Sequence, residues 1–203
     1  MLCLGHSVRC FDPSTEKPKM SLALAQSTLN FLDSLAINLD SGELLKEIHI
    51  SEAGVPGNVL LCADELGVPQ FGRVICSHVL QYILENVADL SIEQEYVSSI
   101  AARSRSSSPS ISLSSGEEIS ADLIILADGG RSGLTEDLGF EPQLRAFGRT
   151  ALIGRLEASA PLPGRAFERF VGTGPLAILP VNKKEYGFTW SLTPKMAALY
   201  SGN

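Results

Sequence analysis

Ala121-Asp122-Leu123-Ile124-Ile125-Leu126-Ala127-Asp128-Gly129-Gly130-Arg131-Ser132 is the stretch that decides the fold: four apolar residues, Leu123 to Leu126, stop abruptly at an acidic, glycine-bearing turn. A continuous apolar run of this length reads as a strand buried on both faces, as the parallel strands of α/β sheets are. Glycines directly after it let the backbone take positive φ and approach a ligand closely. Asp128 sets a carboxylate and Arg131 a cation beside the same turn, and turns at the ends of such strands are where α/β sheets hold cofactors.

Upstream, His6-Ser7-Val8-Arg9-Cys10-Phe11-Asp12 alternates weakly and ends in an acid before Pro13, the pattern of the second strand of a dinucleotide-binding βαβ unit. A carboxylate there accepts hydrogen bonds from two neighbouring ribose hydroxyls. Leu22, Ala25, Leu29, Leu32 and Ala36 recur at 3-4-3-4 spacing and predict an amphipathic helix. Strands are predicted over Glu43–Ile50, with His49 a surface strand residue, and over Val59–Cys62, and Phe71–Ile75 returns the chain toward the dinucleotide-binding unit. A helix follows with Val79, Leu80, Ile83, Leu84 and Val87 on its apolar face and Ser77 as its cap. The serine-rich stretch 103–118 reads as an exposed hairpin. Beyond Gly139 the pattern changes to antiparallel strands at Thr150–Glu157, Ala166–Val171, Leu176–Val181 and Tyr186–Leu192. In the last of these Tyr186, Phe188, Trp190 and Leu192 share a face, first of all as core, with the walling of an apolar pocket as the other reading.

Composition bounds the rest. With 44% hydrophobic and 19% charged residues over 203 positions, the chain has the make-up of an ordinary globular protein. A net charge of -7 argues against a nucleic-acid partner. That charge is uneven: residues 142–203 carry 8 Lys+Arg against 3 Asp+Glu, residues 111–141 carry 1 against 7. Cys3, Cys10, Cys62 and Cys76 lack metal-ligand spacing, so no metal site is expected, and reduced thiols suit a cytoplasmic protein. The amino terminus has neither the basic start nor the apolar stretch of a secretory leader, and no run is long enough for a membrane span.

Ala127-Asp128-Gly129-Gly130-Arg131-Ser132 resembles the Asp-Gly motif of the FAD-dependent aromatic hydroxylases, the class A flavoprotein monooxygenases. A second block, Gly164-Arg165-Ala166-Phe167-Glu168-Arg169-Phe170 with Gly174-Pro175-Leu176-Ala177-Ile178-Leu179-Pro180, is similar to their ubiquinone-biosynthesis branch, of the 2-octaprenyl-6-methoxyphenol hydroxylase type. The two blocks are specific in combination. The resemblance implies FAD as cofactor, NAD(P)H as co-substrate, O2 as oxygen source and a prenylated phenol as substrate. It places Asp12 at the FAD ribose, and Asp128, Gly129 and Arg131 on a face shared by FAD and the nicotinamide. Met20 stands where the family has an arginine, with Lys19 beside it supplying charge without the bidentate fork. His78 stands where an arginine commonly reaches the FAD pyrophosphate. Glu168, Arg169 and Pro180 are the substrate-side residues. No residue is placed as catalytic acid or base.

The implied fold is α/β: an incomplete FAD-binding Rossmann-like domain, residues 1–40 and 73–138, interleaved with a mostly antiparallel β-sheet substrate domain, residues 41–72 and 139–203. No glycine-rich phosphate turn precedes Asp12, Met1–Gly5 reads as the tail of a helix, and nothing after Tyr200 matches the family's later flavin motif. The resemblance therefore implies the middle of a hydroxylase, with FAD binding weak or absent and no turnover in this chain alone. Two other readings stand beside it: a truncated paralogue acting as a non-catalytic binding or complex-assembly module, and another flavoprotein sharing the Asp-Gly motif, a halogenase or prenyl reductase. Expected partners are a homodimer mate, through exposed apolar area, and a biosynthetic complex or the inner membrane surface.

Overall fold

The computed structural model describes residues 5–14, 19–87, 91–102 and 107–201. The elements in chain order are β1 (Cys10–Phe11), β2 (Ser21–Ala25), α1 (Gln26–Ser34), β3 (Glu43–Leu45), β4 (Glu47–Glu52), β5 (Asn58–Cys62), β6 (Gly72–Cys76) and α2 (Ser77–Val87). Then come β7 (Ile92–Glu93), β8 (Val97–Ala101), β9 (Ser110–Leu113), β10 (Glu118–Ser120) and α3 (Leu134–Asp137). β11 (Thr150–Glu157), β12 (Arg165–Val171), β13 (Gly174–Pro180), β14 (Glu185–Leu192) and α4 (Pro194–Tyr200) complete the chain. Two compact units result: Met1–Glu16 with Ala88–Arg145, and Lys17–Val87 with Ala146–Asn203.

In the smaller unit β1 runs parallel to β7, Cys10 opposite Ile92 and Phe11 opposite Glu93. Parallel neighbours need a long crossover, and here the chain passes through β2 to α2 before returning. β8, β9 and β10 form an antiparallel meander; the serine-rich stretch supplies β9 of its β9–β10 hairpin, but that strand is not solvent-exposed as expected, because Ile111 and Leu113 turn into the core. Residues 103–106 of that stretch and residues 1–4 of the expected helix tail lie outside the described residues. Ile100, Ile111, Leu113 and Leu134 form the core, packed by Phe11, Val97, Ile119, Ile124 and Leu126.

The apolar run before Asp128 departs from expectation. Residues 123–127 form no strand ladder among the described residues, and Leu123 and Ile125 are 61% and 65% exposed. Burial on both faces needs neighbours on both. Here only Ile124 and Leu126 meet the core, so the run behaves as a one-sided extended segment.

The larger unit is built on a six-stranded sheet in the order β11-β14-β13-β12-β4-β5, antiparallel except for β12 against β4. The four predicted strands beyond Gly139 are all present. A second sheet, β2-β6-β3, carries α1 and α2. Val74 and Ile75 of β6, Pro180 of β13 and Leu192 of β14 are the largest fully buried side chains among the described residues; each aliphatic one contributes about 1.5–3 kcal/mol by leaving water.

Two elements differ from their periodicity. Leu22 and Ala25 belong to β2, not to a helix, because Leu22 pairs with Ile75 and Ala25 with Gly72 across the sheet; the helix starts only at Gln26, and Ala36 lies beyond its end at φ 59°. The expected strand Glu43–Ile50 is two strands in different sheets. It breaks at Lys46, where the amides of Lys46 and Glu47 both donate to the Gly164 carbonyl. Because β2 and β3 both pair with β6, residues 19–40 and 73–87 cluster with the six-stranded sheet, a division different from that drawn from sequence.

Candidate functional site

In the smaller unit β1 delivers Asp12. The Asp12 amide donates to the Glu93 carbonyl at 3.0 Å, continuing the parallel pairing, and the Ser14 amide donates to Asp12 Oδ1 at 2.9 Å. Beside it Arg9 grips Glu93 through two bonds of 2.8 and 2.6 Å, donates to Glu117 at 2.9 Å, and lies 5.0 Å over the Phe11 ring. These carboxylates raise the Arg9 pKa, and Arg9 in turn lowers that of Glu93. The bidentate geometry fixes the two strand ends at the point where Asp12 emerges.

Asp128 is engaged within its own turn. Oδ1 accepts from the Gly130 amide at 3.0 Å, and Oδ2 accepts from the Ser132 amide at 2.9 Å and from the Ser132 hydroxyl. Those donors, the Ser132 hydroxyl first, hold its carboxyl well below the usual carboxylate range. Gly129 and Gly130 both sit at positive φ, 68° and 71°, in open space, so the backbone conformation alone calls for glycine there. Arg131 is exposed at the same turn.

In the larger unit a pocket of about 320 Å³ opens over the six-stranded sheet, walled by residues 19–21 at the start of β2, 153–155 of β11, Leu179 of β13 and 187–189 of β14. Directly paired residues share a face. Ile153, Thr189, Ala177 and Glu168 therefore form one row, and Arg155, Gly187 and Leu179 the next. β2 crosses close to Gly187: a Cβ there would stand 2.3 Å from Ser21 Oγ. Arg155 donates to the sulfur of buried Cys76 at the end of β6.

The sequence-derived residues distribute unevenly around this pocket. Lys19 lines it. Of the substrate-side trio only Glu168 lies on its face; Arg169 points to the opposite face, where its guanidinium donates to Ser51 at 3.1 Å, and Pro180 is buried in the core. Tyr186, Phe188, Trp190 and Leu192 do share a face, opposite the row of Gly187 and Thr189. Tyr186 and Leu192 are core, while Trp190 packs 4.9 Å from Tyr200. His78, half-buried in the first turn of α2, has a buried Nδ1 without a partner. Sequence reasoning passed over Arg155, whose only signal was a cation on an otherwise apolar alternating strand.

Comparison with known proteins adds the lineage. No protein-family model matches the chain. Over 94 residues, 44% of the chain, it is 34% identical to the ubiquinone hydroxylase UbiL of Rhodospirillum rubrum. It is 28% identical over 153 residues, 68% of the chain, to the ubiquinone biosynthesis monooxygenase COQ6 of Mus musculus. The chain is similar in part to the ubiquinone-branch hydroxylases. These matches span 22% and 32% of the two relatives, so the chain matches less than a third of the length of each. The hydroxylase fold extends further: PqsL of Pseudomonas aeruginosa, "a probable FAD-dependent monooxygenase", superimposes with a TM-score of 0.76 at 13% identity over 97% of this chain and 57% of its own. HpxO of Klebsiella pneumoniae, complexed with FAD and uric acid, does so at 0.72 and 17% identity over 91% of this chain and 50% of its own. The fold class is thus mixed α/β with mostly antiparallel sheets, that of FAD-dependent monooxygenases. No helix among the described residues is long and apolar enough to cross a membrane.

Proposed function

We propose that this chain is part of an FAD-dependent monooxygenase that hydroxylates a prenylated phenol in ubiquinone biosynthesis, with NAD(P)H as reductant and O2 as oxygen source. The sequence match to two ubiquinone-branch hydroxylases carries the reading. The residues present fit a flavin nucleotide in part. Asp12 ends a parallel strand pair with one carboxylate oxygen engaged by Ser14, the Asp128 turn holds two glycines at positive φ with Arg131 exposed beside them, and the orphaned Nδ1 of His78 fits a missing polar partner. When bound, FAD would supply the redox and oxygen chemistry. Asp12 would hold ribose hydroxyls, Asp128 and Gly129 would shape the backbone next to the cofactor, and Lys19, His78 and Arg131 would offer positive or hydrogen-bonding character to its anionic groups. The sheet of the larger unit would orient the phenol and exclude water.

The reading extends to weak FAD binding and no turnover by this chain alone, since Asp12 and the Asp128 turn are two contacts on a large dinucleotide. Exposed Leu123, Ile125, Phe140 and Leu144 support association with a second copy or a membrane-bound complex. An FAD titration followed by flavin fluorescence, with Asp12→Asn in parallel, tests the core of it. Saturable binding weaker than about 10 μM, and weaker again in the variant, is expected. Fluorescence unchanged at any FAD concentration would show that Asp12 and the Asp128 turn do not suffice to hold the flavin in this chain, and tight binding indifferent to Asp12→Asn would remove that residue's role.

A further inference from the structure

The six-stranded sheet of the larger unit ends in two strands that are finished differently. β11, at one edge, carries Arg155 and Glu157, charges of the kind that keep sheet edges from pairing with other strands. β5, at the other edge, reads Asn58-Val59-Leu60-Leu61-Cys62 and has no charge and no proline. Nor does it bulge: its five residues pair one for one with β4, its only strand partner among the described residues. In an antiparallel strand alternate residues turn their amide and carbonyl toward one neighbour, so the other half of the β5 backbone row faces away from β4. Val59 and Leu60 point to opposite faces and are nonetheless 53% and 38% exposed, and Val55 before the strand and Leu66 after it are exposed as well.

We infer that β5 is a docking edge for the β5 of a second copy of this chain, the two strands pairing antiparallel about a two-fold axis at Leu60 and joining two six-stranded sheets into one. With the axis at Leu60, Val59 meets Leu61 of the other copy and Asn58 meets Cys62, so every residue of the strand is matched and no charge is set against a charge. The acids that follow the strand, Asp64 and Glu65, are carried to the far end of the other copy's β5, level with Pro56 and Val55; a parallel pairing would set them against their own counterparts. That charge distribution selects the two-fold arrangement, which closes at two copies because each chain offers one β5. A five-residue strand pair with its flanking turns is a small interface, below about 1,200 Å², so a reversible dimer with a Kd of about 10–100 μM is expected. The residues involved are distinct from those assigned to the flavin and from the lining of the sheet-face pocket.

Sedimentation equilibrium of the full chain without flavin, over about 5–200 μM, reads the mass directly. A monomer–dimer equilibrium that stops at two copies is expected. Leu60→Lys sets a charge on the edge at a position already exposed in the monomer and is expected to raise the Kd about tenfold or more, while Leu156→Lys, equally exposed on β11, leaves it unchanged. A second readout fixes the register and does not depend on the lysine variants folding. In a Cys62→Ser background, Leu60→Cys places two sulfurs opposite each other at the two-fold axis, within disulfide reach, and mild oxidation should yield a reducible dimer that Leu156→Cys does not. The inference is overturned if the chain is monomeric at about 200 μM. It is equally overturned if assembly runs on past two copies, if a folded Leu60→Lys still dimerises as the unaltered chain does, or if Leu60→Cys cross-links no better than Leu156→Cys. Because no flavin is present, these outcomes and the FAD titration stand independently.

Discussion

Asp128 carries its three accepted hydrogen bonds within five residues of chain, so its ionised form is part of the turn's architecture. A depressed carboxyl pKa contributes stability that is complete above the unfolded value, about 3.9, and is lost as pH falls toward the folded value. Urea unfolding between pH 5 and pH 2 should therefore show a decline that Asp128→Asn flattens. Ser132→Ala, which removes the hydroxyl donor that does most to lower the Asp128 carboxyl pKa, should move that pKa upward in a carbon-13 NMR titration. An unchanged pKa in Ser132→Ala would show that the backbone amides alone hold the charge. The turn itself was legible in sequence, since an Asp-Gly-Gly run has few conformational options. The burial of the run before it was not, because four consecutive apolar residues do not say how many of their neighbours are present in the same chain.

At the scale of elements, β2 shows why periodicity misled. Leu22 and Ala25 fit a helical stripe as well as they fit a strand, and the pairing with β6, remote in sequence, decided the matter. The alternating strands beyond Gly139 were legible because period-2 patterning over seven or eight residues has no helical equivalent. What sequence did not give was how β14 meets the pocket: the aromatic row drew attention, while Gly187 and Thr189 of the other row line the cavity, joined by Phe188 alone of the four aromatic-row residues. That face is constrained by the approach of β2 to Gly187. Gly187→Ala should destabilise the larger unit by about 1–3 kcal/mol through overpacking against Ser21. Ser21→Gly in the same chain should recover much of the loss, measured as the coupling in a double-mutant cycle of urea midpoints. Additive losses would mean that the close approach is relieved elsewhere.

At the scale of the molecule, the chain carries two cores that share no residue. Ile100, Ile111, Leu113 and Leu134 pack in the smaller unit, and Val74, Ile75, Pro180 and Leu192 are buried in the larger. The candidate flavin residues divide the same way, Asp12, Asp128, Gly129 and Arg131 in one unit and Lys19 and His78 in the other. Each group therefore depends on its own core for position. Leu192 is fully buried, and Leu192→Ala should cost about 2–5 kcal/mol. In native-state hydrogen exchange that loss should appear in the amides of β6 and β11–β14, leaving β8–β10 protected as before; Leu113→Ala should give the mirror image. If either variant instead lowers protection uniformly across both sets of strands, the two cores unfold as one cooperative body. The residues of each unit would then be positioned by the whole chain, and a change in the sheet of the larger unit would be felt at the Asp128 turn.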